Sequence, residues 1–181
     1  EGSNRYSSIF FIDQETGWAT DDEYNTGIYK STDSGVTWVQ KNSISSSSVY
    51  FIDINTGWAV GEGGSILKSN DGGETWLSKT SGTTNNLNSI KFYNSNLGMG
   101  VGNAGTVLLS TDGGESWVSQ NVGTGEALKA VSFANSNTSW RAGSNGTILQ
   151  TTDLNYNWLS YQGETENDFT SICFVNEHTG W

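Results

Sequence analysis

Eight tryptophans fall into two fixed positions of a unit repeated along the chain, and no other feature limits the fold as tightly. Four of them close an octet: Ser31-Thr-Asp33-Ser-Gly35-Val-Thr37-Trp38, Ser69-Asn-Asp71-Gly-Gly73-Glu-Thr75-Trp76, Ser110-Thr-Asp112-Gly-Gly114-Glu-Ser116-Trp117 and Thr151-Thr-Asp153-Leu-Asn155-Tyr-Asn157-Trp158, with the tryptophans 38, 41 and 41 residues apart. The other four end a Thr-Gly-Trp-like step, at Trp18, Trp58, Trp140 and Trp181. The one vacant register position in that series, Leu97-Gly98-Met99, holds the only methionine, so this slot recurs at 40, 41, 41 and 41 residues. A third slot is always phenylalanine (Phe11, Phe51, Phe92, Phe133 and Phe174), and two residues before it stands Ile9, Val49, Ile90, Val131 or Ile172.

Each unit reads as four short strands. In the third, Ser89-Ile90-Lys91-Phe92-Tyr93 alternates apolar and polar residues with the period of two that a half-buried strand requires. A turn through Asn94-Ser95-Asn96 leads to a second strand over Gly98 to Gly102, and Asn103-Ala104-Gly105 turns it into a third over Thr106 to Ser110. Asp112-Gly113-Gly114-Glu115 then turns toward a fourth strand near Trp117. Short, evenly spaced strands, turns rich in Gly, Asn and Asp, and no helical periodicity predict an all-β fold, a β-propeller of four-stranded antiparallel blades. The repeats run over approximately 7–41, 48–80, 88–121, 129–161 and 170–181 within a single domain spanning 1–181.

The octet resembles the Asp-box, or BNR repeat. With the preceding Gly57-Trp-Ala-Val-Gly61-x-x-Gly64-x-Ile-Leu-x-Ser69 pattern, the chain is most similar to the photosystem II assembly factor-like subfamily of BNR propellers. The likeness covers about Ser7 to Trp181 and implies the fold. It also implies a place inside a larger secreted, cell-surface or periplasmic bacterial protein. Other Asp-box propellers are sialidases, xyloglucan-active glycoside hydrolases and sorting receptors, so function has to be argued from the site. Sialidases hold their substrate carboxylate with three arginines, and this chain has only Arg5 and Arg141, which lysine does not replace in bidentate recognition. A glycoside hydrolase, needing two opposed carboxylates, and a photosystem-assembly factor stand as alternatives to a non-catalytic binding or scaffold module. The assembly factors' working surface is basic and arginine-rich, and no such patch is present here.

Composition narrows the classes further. Eight Lys and Arg against nineteen Asp and Glu give a net charge of -11, a field that repels a phosphate backbone, so no nucleic-acid partner is expected. No run of eighteen apolar residues occurs, and no membrane insertion is expected. Cys173 is the single cysteine and His178 the single histidine, which removes a disulfide framework and the usual zinc sites; no cofactor is expected. Cys173 takes the variable slot of a first strand, equivalent to Phe10, Tyr50, Lys91 and Ser132, and reads as packing; His178 reads as a surface turn. The segment Gly100-Val-Gly102-Asn-Ala-Gly105 matches a dinucleotide fingerprint literally, but it aligns with hairpin turns elsewhere and a strand follows where a helix is needed.

The aspartates Asp33, Asp71, Asp112 and Asp153 are expected to bind the backbone of their own turns, with Trp38, Trp76, Trp117 and Trp158 largely buried between blades as scaffold. In the fourth octet Asn155 replaces glycine, a residue that tolerates the left-handed region moderately well. Ligand sites are expected on the opposite face, formed by the second-to-third-strand loops and the connections between blades. That face carries Asp21, Asp22, Glu23, Glu62, Glu126, Glu164, Glu166 and Asp168, with Lys41 and Lys129 at its edges, and reads as anionic. Either these charges confer solubility or they meet a cation or basic partner. If a ligand exists, Asp21, Asp22, Glu23 and Glu62 are the expected contacts, and calcium is conceivable from the hard oxygen donors. The partner is expected to be a protein or a glycan.

The fifth repeat stops at Trp181, before its own octet. An open arc would leave apolar inter-blade surface in water, so the expectation is a piece of a propeller of six to eight blades by family resemblance. A five-bladed ring with a stunted last blade, or pairing with a second copy or another chain, are the alternatives.

Overall fold

The computed structural model describes residues 6–21, 26–153, 157–162 and 165–181. Four four-stranded antiparallel sheets follow one another in chain order. The first contains β1 (Ser8–Phe11), β2 (Gly17–Asp21), β3 (Gly27–Ser31) and β4 (Val39–Asn42). The second contains β5 (Ser48–Phe51), β6 (Gly57–Val60), β7 (Ile66–Ser69) and β8 (Leu77–Lys79), with one 3₁₀ turn at Glu62–Gly64. The third contains β9 (Leu87–Phe92), β10 (Gly98–Gly102), β11 (Val107–Ser110) and β12 (Val118–Ser119). The fourth contains β13 (Leu128–Phe133), β14 (Ser139–Gly143), β15 (Thr147–Thr151) and β16 (Leu159–Gln162). A two-stranded pair, β17 (Phe174–Asn176) and β18 (Thr179–Gly180), begins the next. No α-helix occurs among the described residues. The all-β, bladed architecture expected from the repeat is the one observed, with Phe92 buried.

Every first hairpin turns on the same device. Asp13, Asp53, Asn94 and Asn135 each accept two backbone N–H groups of the turn through one side-chain oxygen, at 2.6–2.9 Å. Asn176 repeats the arrangement with the N–H of His178. The first strands then line up side by side, β1 against β5, β5 against β9 and β9 against β13.

Where blades meet, the residues at the seam are fixed. The indole of Trp18 in β2 lies flat on Phe51 of the next blade, ring centroids 3.5 Å apart, and its Nε1–H donates to the Gly72 carbonyl at 3.0 Å. Trp58 repeats both contacts with Phe92, at 3.5 Å, and Gly113, at 3.1 Å. Both indoles are fully buried, and each such ring contributes a few kcal/mol of burial. Gly73 and Gly114 sit against these indoles at positive φ, 82° and 81°, so any Cβ there would clash with the indole nitrogen of Trp18 or Trp58.

The tryptophans that close the octets are placed differently from expectation. Trp38, Trp76 and Trp158 are half-buried, and only Trp117 is buried. Trp76 and Trp117 stand edge-on to Phe51 and Phe92 of their own blade, 5.8 and 5.9 Å away. For Trp76 and Trp117 the reason is geometric: the flat seam is already filled by the tryptophan of the preceding blade, so the octet residue caps the phenylalanine from the rim.

Two of the described seams carry a further clamp. Lys30 and Lys41 of the first blade both reach Glu74 of the second, at 2.8 and 2.7 Å, and Lys68 and Lys79 of the second reach Glu115 of the third, at 2.7 and 2.6 Å. The paired ammonium groups hold both carboxyls below the usual glutamate range. Lys41 therefore serves a seam; it does not edge the loop face.

The seam between the third and fourth blades is built from other parts. Met99 replaces tryptophan, Ser139 replaces the glycine that lies under the phenylalanine ring, and Arg141 replaces the small residue represented by Ala19, Ala59 and Gly100. In the other blades that glycine is in contact with the ring of Phe11, Phe51 or Phe92. With a Cβ at Ser139, Phe133 is only half-buried and tilts toward Tyr93, 6.0 Å away. Arg141 fills the space, fully buried, with its guanidinium carbon 3.8 Å from the Trp158 ring centre and Nη2 on the Met99 sulfur. Leu109 stands where Lys30 and Lys68 stand in their blades, so no lysine pair spans this joint.

Candidate functional site

The octet end of the molecule is occupied with its own structure. In the second blade Asp71 accepts from the Thr75 N–H at 2.9 Å and from the Thr75 hydroxyl at 2.6 Å, while the Ser69 hydroxyl donates at 2.8 Å. Asp33 and Asp112 make the same set with Thr37 and Ser116. In the fourth blade Asn157 substitutes its amide, donating to Asp153 from Nδ2 at 2.8 Å and from the backbone at 3.1 Å. Donors converging on the ionised carboxylate draw the pKa of Asp71 and of Asp112 down to about 2, the Thr75 and Ser116 hydroxyls contributing most. Asn155 lies outside the described residues.

At the opposite end the loops are tied to one another. The Asn103 N–H donates to the Asn86 carbonyl and the Gly105 N–H to the Glu126 carbonyl, both at 2.9 Å, so the tip of the third blade is held by its entry and exit connections. Asn145 of the fourth blade donates from Nδ2 to the Glu126 carboxylate at 2.8 Å and from its backbone to Asp168 at 3.1 Å. Lys129 completes Asp168 at 2.6 Å and, with Asn145, holds its carboxyl below the usual range. Two of the expected surface acids thus fasten neighbouring loops. Glu62 and Glu166 are exposed, Glu62 on the 3₁₀ turn whose Gly63 N–H donates to Asn86 Oδ1 at 3.0 Å.

Asp21 corrects the expectation made for it. It is fully buried, because β2 continues through it in register with Gly27 instead of ending in a loop. Asp22, Glu23 and Glu164 lie outside the described residues. No group of three His, Cys, Asp or Glu side chains positioned to hold a metal occurs among the described residues.

A second concave region lies along the first strands, which the sequence marked only as a variable slot. Phe10, Tyr50, Lys91 and Ser132 occupy equivalent positions on neighbouring strands, with Cys173 at the same repeat position just before β17, and the Phe10 and Tyr50 rings are 5.2 Å apart. A cleft of about 420 Å³ is bordered by Tyr50, Lys91, Tyr93, Ser132, Phe133 and Cys173. Lys91 Nζ stands 4.9 Å from the centre of the Tyr50 ring. Burial lowers the lysine's pKa and raises that of the Tyr50 hydroxyl. The alternation of the strand placed Lys91 opposite its apolar neighbours, but no sequence signal said which blades would share the space in front of it.

Comparison with known proteins agrees with this architecture. No curated protein sequence matches the chain. Among solved structures, a YCF48 described as bound to D1 peptide superposes with a TM-score of 0.70 at 20% identity, covering 92% of this chain and 56% of that one. YCF48 from Cyanidioschyzon merolae gives 0.72 at 14%, covering 95% and 62%, and the GH74 enzyme of Niastella koreensis gives 0.72 at 16%, covering 91% and 32%. The chain therefore spans little more than half the length of the YCF48 structures it resembles. At these identities the likeness shows the fold, a β-propeller. The sequence model described as photosynthesis system II assembly factor YCF48 matches residues 43–125 and 81–165, and the chain belongs to that family of BNR-repeat propellers.

Proposed function

We propose that the chain is a non-catalytic binding module that presents its stitched loop face to a protein partner outside the cytoplasm. The observation that carries this reading is the set of bonds joining Asn86, Asn103, Glu126, Asn145 and Asp168, which hold neighbouring loop tips in one frame. A pre-ordered surface loses little freedom on binding, and its exposed Glu62 and Glu166 give it a negative rim suited to a basic protein patch. A solved relative described as bound to a peptide supports a protein over a glycan.

The test is capture from extracts of the source cells with the immobilised chain and with a Glu62→Lys/Glu166→Lys variant. The expected result is a protein retained by the first, lost from the second, and weakened as salt rises. Retention by both alike, or binding to a glycan array alone, overturns the proposal.

A further inference from the structure

The six lysines of this acidic chain are not used alike. Lys30, Lys41, Lys68, Lys79 and Lys129 each reach a carboxylate within 2.8 Å. Lys91 forms no ion pair with any described residue, although acids outnumber bases more than two to one in the whole chain. It is also the half-buried lysine that borders the cleft along the first strands, its ammonium 4.9 Å from the centre of the Tyr50 ring. Removing an ammonium partly from water without a counter-ion is costly, and the ring face compensates for only part of that cost. A group of opposite sign entering the cleft removes the remainder.

The lining narrows what that group is. Lys91 is a single point charge, whereas phosphate recognition draws on arginine forks or a nest of backbone N–H groups. A net charge of -11 further disfavours multivalent anions. A monoanion matches one ammonium. Around it, Tyr50, Tyr93 and Phe133 supply aromatic surface, and the Ser132 hydroxyl stands within the same lining. Ser132 Oγ accepts the Phe174 N–H at 2.9 Å, which leaves its own O–H free to donate.

We infer that this cleft is a carboxylate-binding site, in which Lys91 pairs with the carboxylate and the Tyr50, Tyr93 and Phe133 rings receive the apolar body attached to it. The carboxylate belongs either to the end of a peptide or to a free small acid. The site is separate from the loop-face acids Glu62 and Glu166, and it stands or falls independently of the partner proposed for them.

Three probes test it on the full chain: N-acetyl-Ala-Phe-Ala with a free carboxylate, the same peptide as its carboxamide, and phenylacetate. Binding is followed by NMR of the chain carrying ¹³C-dimethylated lysines, so that the Lys91 signal reports directly and no folding of a variant is required. The expected result is a shift of the Lys91 resonance and at least tenfold tighter binding of an acid than of the amide. The Lys91→Met variant, which keeps the stem, loses that preference, while Lys41→Met, at a blade seam away from the cleft, keeps it. Tighter binding of the peptide acid assigns the source to a chain terminus, and tighter binding of phenylacetate to a small acid. Equal binding of acid and amide, a silent Lys91 resonance with all three probes, or a preference that survives in Lys91→Met overturns the inference.

Discussion

At Gly73 a hydrogen atom in place of a methyl group lets two blades touch. The residue has φ 82° and lies against the Trp18 indole, so Gly73→Ala both strains the backbone and displaces the ring from the Gly72 carbonyl. Overpacking of this kind costs about 1–3 kcal/mol. A lower urea midpoint and a red-shifted tryptophan emission are expected, and an unchanged midpoint would show that the seam yields freely. The neighbouring Asp71 acts through the backbone: Asp71→Ala leaves the Thr75 N–H and hydroxyl to water, a loss of about 1 kcal/mol given how exposed the turn is. Because the folded-state pKa of Asp71 and Asp112 is drawn to about 2, below the ordinary carboxylate value, their contribution is present above pH about 4 and is lost as pH falls toward 2. Thermal scans between those limits should show Asp71→Asn converging on the parent at the acid end; parallel curves would remove the linkage. At this scale the sequence was informative where chemistry repeats. The Phe, Trp and Asp slots were all visible as slots. Which tryptophan lies deep was not, because the period fixes a residue's place in its blade and says nothing of the ring arriving from the next one.

Among the elements, β10 and β14, the second strands of the third and fourth blades, carry the exception. Met99 and Arg141 meet at positions that Trp18 and Ala59, and Trp58 and Gly100, hold in the repeat at the other seams, so the departure is a coordinated one: a smaller residue on one side, a larger one on the other. The exchange has a cost, since Nε and Nη1 of the buried guanidinium find no hydrogen-bond partner among the described residues and burial pulls its pKa well down. Met99→Trp alone should destabilise by about 2 kcal/mol, because the indole meets Arg141. Adding Arg141→Ala should restore at least about 1 kcal/mol of that, a coupling that a double-mutant cycle measures directly. Strict additivity would mean that the two side chains do not share the space. Both substitutions were legible as irregularities of the repeat, Met99 as the vacancy in its slot and Arg141 as a lone arginine in a second strand. Their meeting was not, since it depends on which sheet face looks forward and which looks back.

For the molecule as a whole, unequal seams imply unequal opening. The first three blades are joined by stacked indoles and lysine–glutamate clamps, and among the described residues the fourth is joined to them by neither. Stability in repeat architectures is close to a sum of units and nearest-neighbour interfaces. Amide exchange in β13–β15 should therefore run faster than in β5–β7 and report a smaller opening free energy, whereas uniform protection would mark a single cooperative body. At this scale the bladed architecture followed from the period, but the candidate site did not. Asp21 lies inside because its strand runs one residue further than the loop reading allowed, and Lys91 gains its surroundings from strands some forty residues away on either side. The odd seam has a further consequence for how the chain assembles. Joints made of identical parts cannot tell one neighbour from another, so during folding the second blade's tryptophan fits any glycine notch of the same design, and a blade skipped or exchanged between molecules is met by a competent surface. Arg141 leaves room for Met99 and none for an indole. A chain that has closed its first joints in the wrong order arrives at that pair with a ring where the arginine must go, and the error is rejected there. One mismatched joint in a row of copies supplies the punctuation from which the others are counted.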